Sequence, residues 1–580
     1  MTHEFDLVVR QGMIVDGTGG RPVEADVAIR DGKIVKIGLV TGQGREELDA
    51  SGCIVTPGFV DVHTHYDGQI TWENRMAPSS NHGVTTVVMG NCGVGFAPVR
   101  EADRQTVIKL MEGVEDVPEV VMAEGLPWNW TSFPDYLDAL DQRSADVDFA
   151  AQLPHSPLRV FVMGSRGTQL GEATPDDLAE MRRLTKEAID AGALGVTTSR
   201  NLFHRFRDGA LAPSVKTGEE ELLALAAGLN DAGAGVFQCI PRLENEPNYE
   251  MEIMKSVARR SGRPLNFSLV PVPASPPKIV EKYAACLDEA ATEGLDIKAH
   301  YMSRPLGILM GLDLSYHPFS LNPSYRDIAD LPLDQKVARM RDPAFRRQLL
   351  SEKPDDPNPS LVNIVSLRDY IHKLEDPVDY HFAFDDSLNE RAKRMAVPED
   401  ELIYDTLLED DGRAIIGLFP TDTLTYMAIT EPLAGRGDTV LSLGDGGAHY
   451  SMICDASYTS YMLAQRRDVN GLSLPRLIES LTRQPARSVG LLDRGVIARG
   501  YKADLNIIDL DKMTVYRPVV HQDLPSGGKR LVQRADGYRA TIVSGVVTYR
   551  EGQPTNELPG RLVRGGKPSP DETLTARTLH

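Results

Sequence analysis

The chain has few cysteines, no long apolar run and no targeting segment that we recognise. Five cysteines in 580 residues are too few for a disulfide framework, which predicts a reduced protein of the cytoplasm. No uninterrupted apolar run reaches about 18 residues, so a membrane span is not expected. The N-terminal letters MTHEFDLVVRQG carry charge where a signal peptide has an apolar run, so secretion is not expected either.

Basic residues are fewer than acidic residues. Lys and Arg number 62 against 83 for Asp and Glu, which gives a net charge of −21. A nucleic-acid binder needs a basic face to displace counterions from phosphate, so we expect no nucleic-acid partner. The 41% of hydrophobic residues is ordinary for a soluble protein with a substantial core. A small-molecule partner is favoured, and self-association into a homo-oligomer stays open.

The two ends of the chain share a strand-rich pattern. Short β-rich stretches alternate with turn pairs such as Asp31-Gly32 near the start and Ser544-Gly545 near the end. Residues 1–56 and 490–565 are therefore predicted to form one small β-sandwich domain. Residues 566–580 are predicted to be a flexible tail.

The middle of the chain, residues 57–489, alternates short apolar strands with amphipathic helices. This pattern is typical of βα units around a parallel sheet, and eight strands suit an α/β fold of the TIM-type (β/α)8 barrel. The predicted strands are 58–65, 85–92, 149–155, 194–200, 234–240, 264–270, 295–301 and 439–445. Residues 302–438 are too long for a simple connection before the last strand, so an inserted subdomain or lid is expected there.

The segment TPGFVDVHTHYDG contains the strongest functional signal. Residues i and i+2 of a strand point to the same face, so His63 and His65 can both face one ion. Imidazole is a good ligand for zinc and similar divalent metals. A lone His-x-His pair also occurs in structural roles. Its place at the end of an apolar strand, before a long series of βα units, favours a metal site.

TPGFVDVHTH resembles the first-strand signature of the amidohydrolase superfamily. GVTTVVMGNCGVGFAP resembles the second strand of its D-aminoacylase (N-acyl-D-amino-acid deacylase) branch. VEDVPEV, LPWNWTSFPDYLDAL and DRGVIARGYKADLNIID are also similar to that branch. The resemblance implies a barrel hydrolase with a divalent metal, zinc above all, bound by His63, His65 and Asp445 of TVLSLGDGGAHY. It also implies that Asp445 is the general base and that Cys92 is a further ligand, although a small buried thiol is the alternative for Cys92.

The sequence departs from this branch at the second metal site. The branch has a histidine at the end of strand five and another at the end of strand six, where this chain has Gln238, Cys239, Asn266 and Ser268. Three arrangements stay open: one ion at His63, His65 and Asp445; a second, softer site built by Cys92 and Cys239; or a barrel without catalysis that only binds. One or two ions per chain are therefore expected.

Three further residues are candidates for substrate binding. Arg200 ends strand four and Arg304 follows strand seven, where a guanidinium group can clamp a carboxylate. An internal ion pair is the alternative for both arginines. His449 lies in the loop after Asp445 and can contact metal or substrate. The predicted reaction is hydrolysis of the C–N amide bond of an N-acyl (D-)amino acid or a related linear amide by metal-activated water. A cyclic amide, a dipeptide or an ester-like compound is the alternative substrate.

Overall fold

The computed structural model describes residues 3–271, 275, 278–466 and 472–570. The N-terminal segment forms five strands that precede the α/β region. Its second and third strands turn at Asp31 and Gly32, both with positive φ (51° and 70°), as a tight hairpin requires. The strands are β1 (Phe5–Ile14), β2 (Val23–Arg30), β3 (Lys33–Gly38), β4 (Gly44–Asp49) and β5 (Ile54–Pro57).

Parallel strands follow, and most of their residues are apolar or β-branched and buried. Their order along the chain is β6 (Phe59–Asp61), β7 (Val84–Met89), β8 (Asp148–Ala151), β9 (Leu153–Pro154), β10 (Gly195–Ser199), β11 (Val236–Ile240), β12 (Leu265–Ser268) and β13 (Ile297–Tyr301). Several end earlier than the sequence predicted. Strand β6 ends at Asp61 and β7 at Met89. After each of these residues the chain turns away from the neighbouring strand.

Helices connect these strands and cover them with apolar faces. Two of them begin with reciprocal caps: Ser132 with Asp135, and Thr174 with Asp177. Such capping boxes satisfy backbone N–H groups that have no partner in the first helical turn. The helices are Gln69–Trp72, Arg104–Glu115, Glu119–Gly125, Phe133–Asp141, His155–Met163, Ser165–Thr168, Pro175–Asp190, Glu219–Ala232, Pro247–Ser261 and Ile279–Thr292.

Residues 302–438 contain a sheet and an apolar cluster of their own. Strands β14 (Ile308–Met310), β15 (Ile371–Lys373) and β16 (Ile416–Leu418) form an antiparallel sheet with β16 in the centre. Met310, Phe319, Tyr404 and Leu418 belong to the cluster that packs against it. The helices are Pro323–Arg326, Leu333–Met340, Pro343–Ser351, Pro359–Ser366, Leu388–Met395, Glu399–Leu407 and Thr423–Thr430.

The last parallel strand, β17 (Thr439–Leu441), pairs with β13. The parallel strands form two ladders, β6–β7–β8 and β9–β10–β11–β12–β13–β17. Only Gln152 separates β8 from β9, and its N–H donates to the Met89 carbonyl at 3.0 Å. Beyond the first and last strands, the Asp445 N–H donates to the His63 carbonyl at 3.1 Å, and the His65 N–H to the Gly446 carbonyl at 2.7 Å.

The C-terminal segment returns to the N-terminal strands. After helices Tyr458–Tyr461, Leu474–Leu481 and Arg483–Ser488 come β18 (Leu505–Ile508), β19 (Thr514–Val515), β20 (Val519–His521), β21 (Arg530–Val532), β22 (Ala535–Asp536), β23 (Tyr538–Val543), β24 (Val546–Arg550) and β25 (Gln553–Pro554). One nine-stranded sheet joins both ends in the order β25-β24-β23-β18-β5-β1-β2-β3, with β4 beside β1. A β-sandwich and the exact domain boundaries stay predictions. Of the predicted tail, residues 571–580 lie outside the described residues.

None of the helices in the described ranges is long and apolar enough to cross a bilayer.

Candidate metal centre

His63 and His65 lie just beyond the end of β6. Both are about 2% exposed, and their ring centroids are 5.6 Å apart. The carboxylate of Asp61 accepts the His63 N–H at 3.1 Å, while the Gly446 carbonyl accepts the His65 N–H. These backbone contacts fix the turn that brings both imidazoles to the same cluster although they are no longer in a strand.

Cys92 lies in a tight turn after β7. Gly90, Cys92 and Gly93 all have positive φ (85°, 57° and 69°). Only a glycine fits at position 93, because a Cβ there would lie about 3.0 Å from the Thr198 backbone. The turn places the Cys92 Sγ 3.4 Å from the His63 Nε2. Cys92, His63 and His65 offer donor atoms that all lie within 4.8 Å of one another.

Asp445 reaches this cluster from the loop after β17. Its Oδ1 lies 3.4 Å from the His63 Nε2 and 4.0 Å from the His65 Nε2. About 16% of its side chain is exposed, so one edge of the carboxylate faces an opening. Burial raises the pKa of Asp445 well above its ordinary value, and the nearby Asp455 raises it further. The structure thus brings together four residues that the sequence nominated.

Glu115 is a fifth member of the cluster that the sequence analysis missed. It is the last residue of helix Arg104–Glu115 and is 1% exposed. Its Oε2 lies 3.5 Å from the His65 Nε2. Val107 and Met111 precede it at intervals of four residues on the buried side of the helix. A carboxylate on an apolar helical stripe is therefore the signal that could have identified Glu115.

His449 contacts Glu115 from the other side. Their side chains approach to 3.4 Å between the His449 Nε2 and the Glu115 Oε2. The His449 N–H also donates to the Glu115 carbonyl, which ties the loop after Asp445 to the end of the helix. About 16% of the His449 side chain is exposed. His449 therefore lies beside the cluster, and its contact with metal or substrate stays a prediction.

Gln238 lies on β11 and contacts His63. Its Nε2 is 3.2 Å from the His63 Nδ1, and its Oε1 accepts a hydrogen bond from Gln152 at 2.8 Å. Gln152 also donates to Asn91, whose own amide donates to the Val88 carbonyl at 2.9 Å. This chain of amides anchors the His63 ring to the backbone of β7, and leaves its Nε2 facing Cys92 and Asp445.

Cys239 is not brought to the cluster. Because successive side chains of a strand point to opposite faces, Cys239 points away from the face on which Gln238 meets His63. Burial raises the pKa of the Cys239 thiol to about 12, and its charged neighbours are Arg200 and Glu250. The second site that the sequence allowed for Cys92 and Cys239 therefore does not assemble in this structure.

The two candidate arginines are held in internal ion pairs. The Arg200 Nε donates to Glu250 at 3.0 Å, and both side chains are buried. Arg304 donates to Asp455 at 2.8 Å and stacks on Tyr380, with its guanidinium carbon 3.7 Å from the ring centroid. An internal ion pair was the alternative that the sequence left open for both arginines. Neither guanidinium contacts the cluster of His63, His65 and Cys92.

The donors of the cluster fit a bound cation. Within the described ranges, buried polar atoms without a hydrogen-bond partner include both ring nitrogens of His65, the Glu115 Oε1 and the His449 Nδ1. Burial lowers the pKa of His63 to about 3 and that of His449 to about 4, so these imidazoles keep free lone pairs. Buried polar atoms without a partner lower the stability of the folded protein. One divalent cation can bind several of them at once.

The chain is similar to known proteins along most of its length. A model of the amidohydrolase family matches residues 46–549. The chain belongs to this family. An uncharacterized protein of Mycobacterium tuberculosis is 27% identical over 633 residues, with 98% of this chain and 97% of that protein covered. D-aminoacylase of Alcaligenes xylosoxydans xylosoxydans is 33% identical over 247 residues, which cover 42% of this chain and 46% of that enzyme.

Solved structures show the same fold. N-acyl-D-glutamate deacylase from Bordetella bronchiseptica, in complex with zinc and a phosphonate mimic of the tetrahedral intermediate, superposes with a TM-score of 0.64 at 21% identity, covering 97% of this chain and 99% of that one. The predicted membership of the D-aminoacylase-like branch is confirmed. This amidohydrolase is an enzyme that cleaves carbon–nitrogen bonds other than peptide bonds.

Proposed function

We propose that this amidohydrolase is a metal-dependent deacylase of N-acyl amino acids, with the D configuration favoured. The position of Asp445 carries the proposal: its carboxylate lies 3.4 Å from the His63 Nε2 and keeps an exposed edge. A substrate that enters from that edge meets a carboxylate beside the donors of a cation site. The D-aminoacylase and N-acyl-D-glutamate deacylase relatives support the choice of substrate class.

The fold arrangement supports a site of this kind. We propose that the two ladders of parallel strands close into a (β/α)8 barrel, with residues 1–56 and 490–565 as a separate β-sandwich domain. The backbone hydrogen bonds between His63, His65 and the 445–446 segment support closure between the first and last strands. The cluster then lies at the carboxyl ends of the strands, where barrel enzymes have their chemistry. Residues 302–438 are proposed to cover that end.

Zinc is the cation that this donor set favours. Imidazole nitrogen, thiolate and carboxylate oxygen are its usual protein ligands, and Cys92 adds a soft donor to His63, His65 and Asp445. When bound, such an ion lowers the pKa of water and polarises the substrate carbonyl. Five cysteines without a disulfide among the described residues agree with a reducing compartment such as the cytoplasm.

Asp445 is the residue that we propose for proton transfer. Its carboxylate accepts the proton of the attacking water and later delivers it to the leaving amine, as general base and then general acid. The His63 Nε2 lies 3.4 Å from the carboxylate on one side. The backbone N–H of Asp445 donates to the His63 carbonyl, which fixes the loop. The exposed edge of Asp445 is left for substrate.

A substrate panel tests the reaction. The metal-loaded enzyme is incubated with N-acyl-D-amino acids, their L enantiomers, hydantoins and dipeptides, and the released amine is measured. We expect N-acyl-D-amino acids to exceed their enantiomers in kcat/KM by at least about tenfold, which corresponds to ~1.4 kcal/mol. The enzyme with His63→Ala serves as the blank. Equal rates in that variant would contradict the proposal.

A cyclic amide is the second candidate substrate. One observation favours it: Arg200 and Arg304 are already neutralised by Glu250 and Asp455, so neither is available to clamp the free carboxylate of an acyl amino acid. A neutral cyclic amide needs no such clamp. Faster turnover of the hydantoins than of every N-acyl amino acid in the panel would select this candidate.

The contact between Gln238 and His63 gives a prediction about metal affinity. Gln238→Leu removes the amide that orients the imidazole, and loss of such a support typically weakens metal binding by about 10–100-fold. Competition with a chromophoric chelator measures the change. Cys239→Ala is the matched control because it alters the neighbouring residue on the opposite face, and we expect it to leave affinity unchanged. An equal loss in both variants would restore Cys239 as a candidate ligand.

A further inference from the structure

Three polar side chains on neighbouring strands lie outside the cluster described above. Ser268 ends β12, His300 lies beside it in register on β13, and Ser442 directly follows β17, the next strand of the ladder. All three residues are at most 3% exposed. Within the described ranges, both ring nitrogens of His300 and both serine hydroxyl groups lack a hydrogen-bond partner. Buried polar groups are normally hydrogen-bonded, so these four atoms need an explanation.

Ser268 and His300 point away from the helices that cover the strands. Phe267, one residue before Ser268, stacks on Tyr283 of the next helix, with ring centroids 5.3 Å apart. Because successive side chains of a strand point to opposite faces, Ser268 and its register partner His300 lie on the other face. Burial lowers the pKa of His63 to about 3, and the nearby His300 lowers it further. The polar face of these strands is therefore next to the metal cluster.

Apolar side chains directly after the three polar residues form a small cluster of their own. Met302 and Leu443 are buried in this cluster, and Val270 packs against it partly exposed. Val270 follows Ser268 by two positions, Met302 follows His300 by two, and Leu443 is the next residue after Ser442. Apolar walls with a few converging polar groups are the usual form of a small-molecule site. The arrangement fits an aliphatic chain that ends in a polar group.

We propose that Ser268, His300 and Ser442 bind a carboxamide at the end of the substrate side chain, so that the enzyme prefers N-acyl derivatives of glutamine or asparagine. This inference rests on the proposed deacylase function and names the side chain that the substrate carries. A carboxamide donates and accepts hydrogen bonds, and two hydroxyl groups with a neutral imidazole can do both in return. Ser442 precedes Asp445 by three residues, so the amide site and the proposed general base belong to the same strand end.

The surroundings favour an uncharged group over a carboxylate. Burial lowers the pKa of His300 to about 3, and Lys298 lowers it further, so the imidazole is neutral at pH 7. Lys298 is paired with Asp296, and the two arginines described above are already paired with carboxylates. A buried carboxylate needs a cationic partner, and Asp445 would repel it. A carboxamide has the same shape and needs only hydrogen bonds.

Three substrates that differ at the end of the side chain test the proposal. The value of kcat/KM is measured on the metal-loaded enzyme with N-acetyl-D-glutamine, N-acetyl-D-glutamate and N-acetyl-D-methionine. The first two are nearly isosteric, and the third has an apolar chain of similar length. We expect the glutamine derivative to exceed each of the others by at least about 100-fold, because other side chains leave the polar groups of the site unpaired. Equal values for the glutamine and methionine derivatives would overturn the proposal.

Ser268→Ala and Ser442→Ala separate the amide site from the rest of the enzyme. Each variant is expected to lower kcat/KM for N-acetyl-D-glutamine by about 3–10-fold, the usual contribution of one hydrogen bond, and to leave the value for N-acetyl-D-methionine unchanged. Ser480→Ala is the matched control, because the Ser480 hydroxyl donates to the Leu477 carbonyl at 2.8 Å on another helix, and it should change neither value. An equal loss with both substrates in the Ser268 and Ser442 variants would contradict the assignment.

Binding of the product amino acids distinguishes this inference from the proposed function. Calorimetry gives the affinity of the metal-loaded enzyme for D-glutamine, D-glutamate and D-methionine without any turnover. Tighter binding of D-glutamine that Ser268→Ala weakens would support the amide site even if no N-acyl amino acid is hydrolysed, and then the proposed function alone fails. Hydrolysis without a preference for the glutamine derivative would overturn the amide site and leave the deacylase function intact. Neither turnover nor preferential binding would end both proposals.

Discussion

Asp445→Asn is expected to lower kcat by about 10²–10⁴-fold, the usual contribution of a positioned acid–base group. The amide is nearly isosteric with the carboxylate and leaves the hydrogen bond from the backbone N–H to the His63 carbonyl in place. It cannot accept the proton of the attacking water, however. Steady-state rates with the best substrate of the panel, measured at saturating metal, give the change in kcat and KM separately.

Bound metal must be measured on the same samples, because Asp445 lies close enough to His63 and His65 to be a ligand as well as a base. An asparagine variant that keeps its metal and loses kcat locates the defect in proton transfer. A variant that loses both is examined again at higher metal concentration. If kcat of the metal-loaded variant stayed within a factor of about three of the wild type, far below the effect of a lost base, Asp445 would not be the base.

The parallel strands were predictable because each is a short run of apolar, β-branched residues bounded by turn signals. The ends of those strands were not. The apolar pattern predicted a first strand to His65 and a second through Cys92, whereas the structure ends them at Asp61 and Met89. Asp61 binds the His63 N–H, and Gly90 adopts a left-handed φ of 85°. Such local choices depend on contacts that an apolar pattern does not encode.

The candidate site was predictable where one motif carried the signal. His63, His65 and Cys92 come shortly after strands that the pattern located, and Asp445 follows the last strand. Glu115 was missed because it lies on a helix, and it meets His65 only through the packing of that helix over the strand ends. A test for charged residues on apolar helical stripes would have selected it.

The arginines and Cys239 show a different limit of prediction from the sequence. Arg200 and Arg304 lie near the carboxyl ends of strands, as predicted, yet their partners Glu250 and Asp455 are 50 and 151 residues away in sequence. No spacing rule predicts pairs of that kind. The position of Cys239 could have been predicted, because strand alternation puts adjacent residues on opposite faces. Since Gln238 faces His63, Cys239 faces the helices.

A buried ion network outside the cluster of His63, His65 and Cys92 supports the largest expected effect on stability. The Asp148 Oδ2, at the start of β8, accepts hydrogen bonds from Arg494 at 2.8 Å and Lys502 at 2.6 Å. The network joins the parallel strands to the segment that leads into β18. Removal of one partner from a buried pair typically costs about 3–5 kcal/mol because the other charge is left uncompensated. Asp148→Asn is therefore expected to lower the calorimetric unfolding midpoint at pH 7.

The pKa of Asp148 predicts how the difference in unfolding midpoint between the wild type and Asp148→Asn varies with pH. Burial alone would raise the pKa of Asp148, but Lys502 and Arg494 outweigh it and lower the pKa to about 2. A lowered pKa contributes stability above the unfolded value, about 3.9, and loses it as the pH falls toward 2. The gap in midpoint between wild type and Asp148→Asn should narrow from pH 6 to pH 3.

The control for this prediction is Asp493→Asn, since Asp493 contacts the same Arg494 with a carboxylate that is 27% exposed. A partly exposed pair contributes about 1 kcal/mol or less, so its midpoint should stay near that of the wild type. Both variants are expected to keep wild-type kcat at temperatures below unfolding, because neither residue touches the cluster. A midpoint for Asp148→Asn equal to that of Asp493→Asn at pH 7 would show that the network does not stabilise the protein. A lowered kcat would show that the start of β8 is coupled to catalysis.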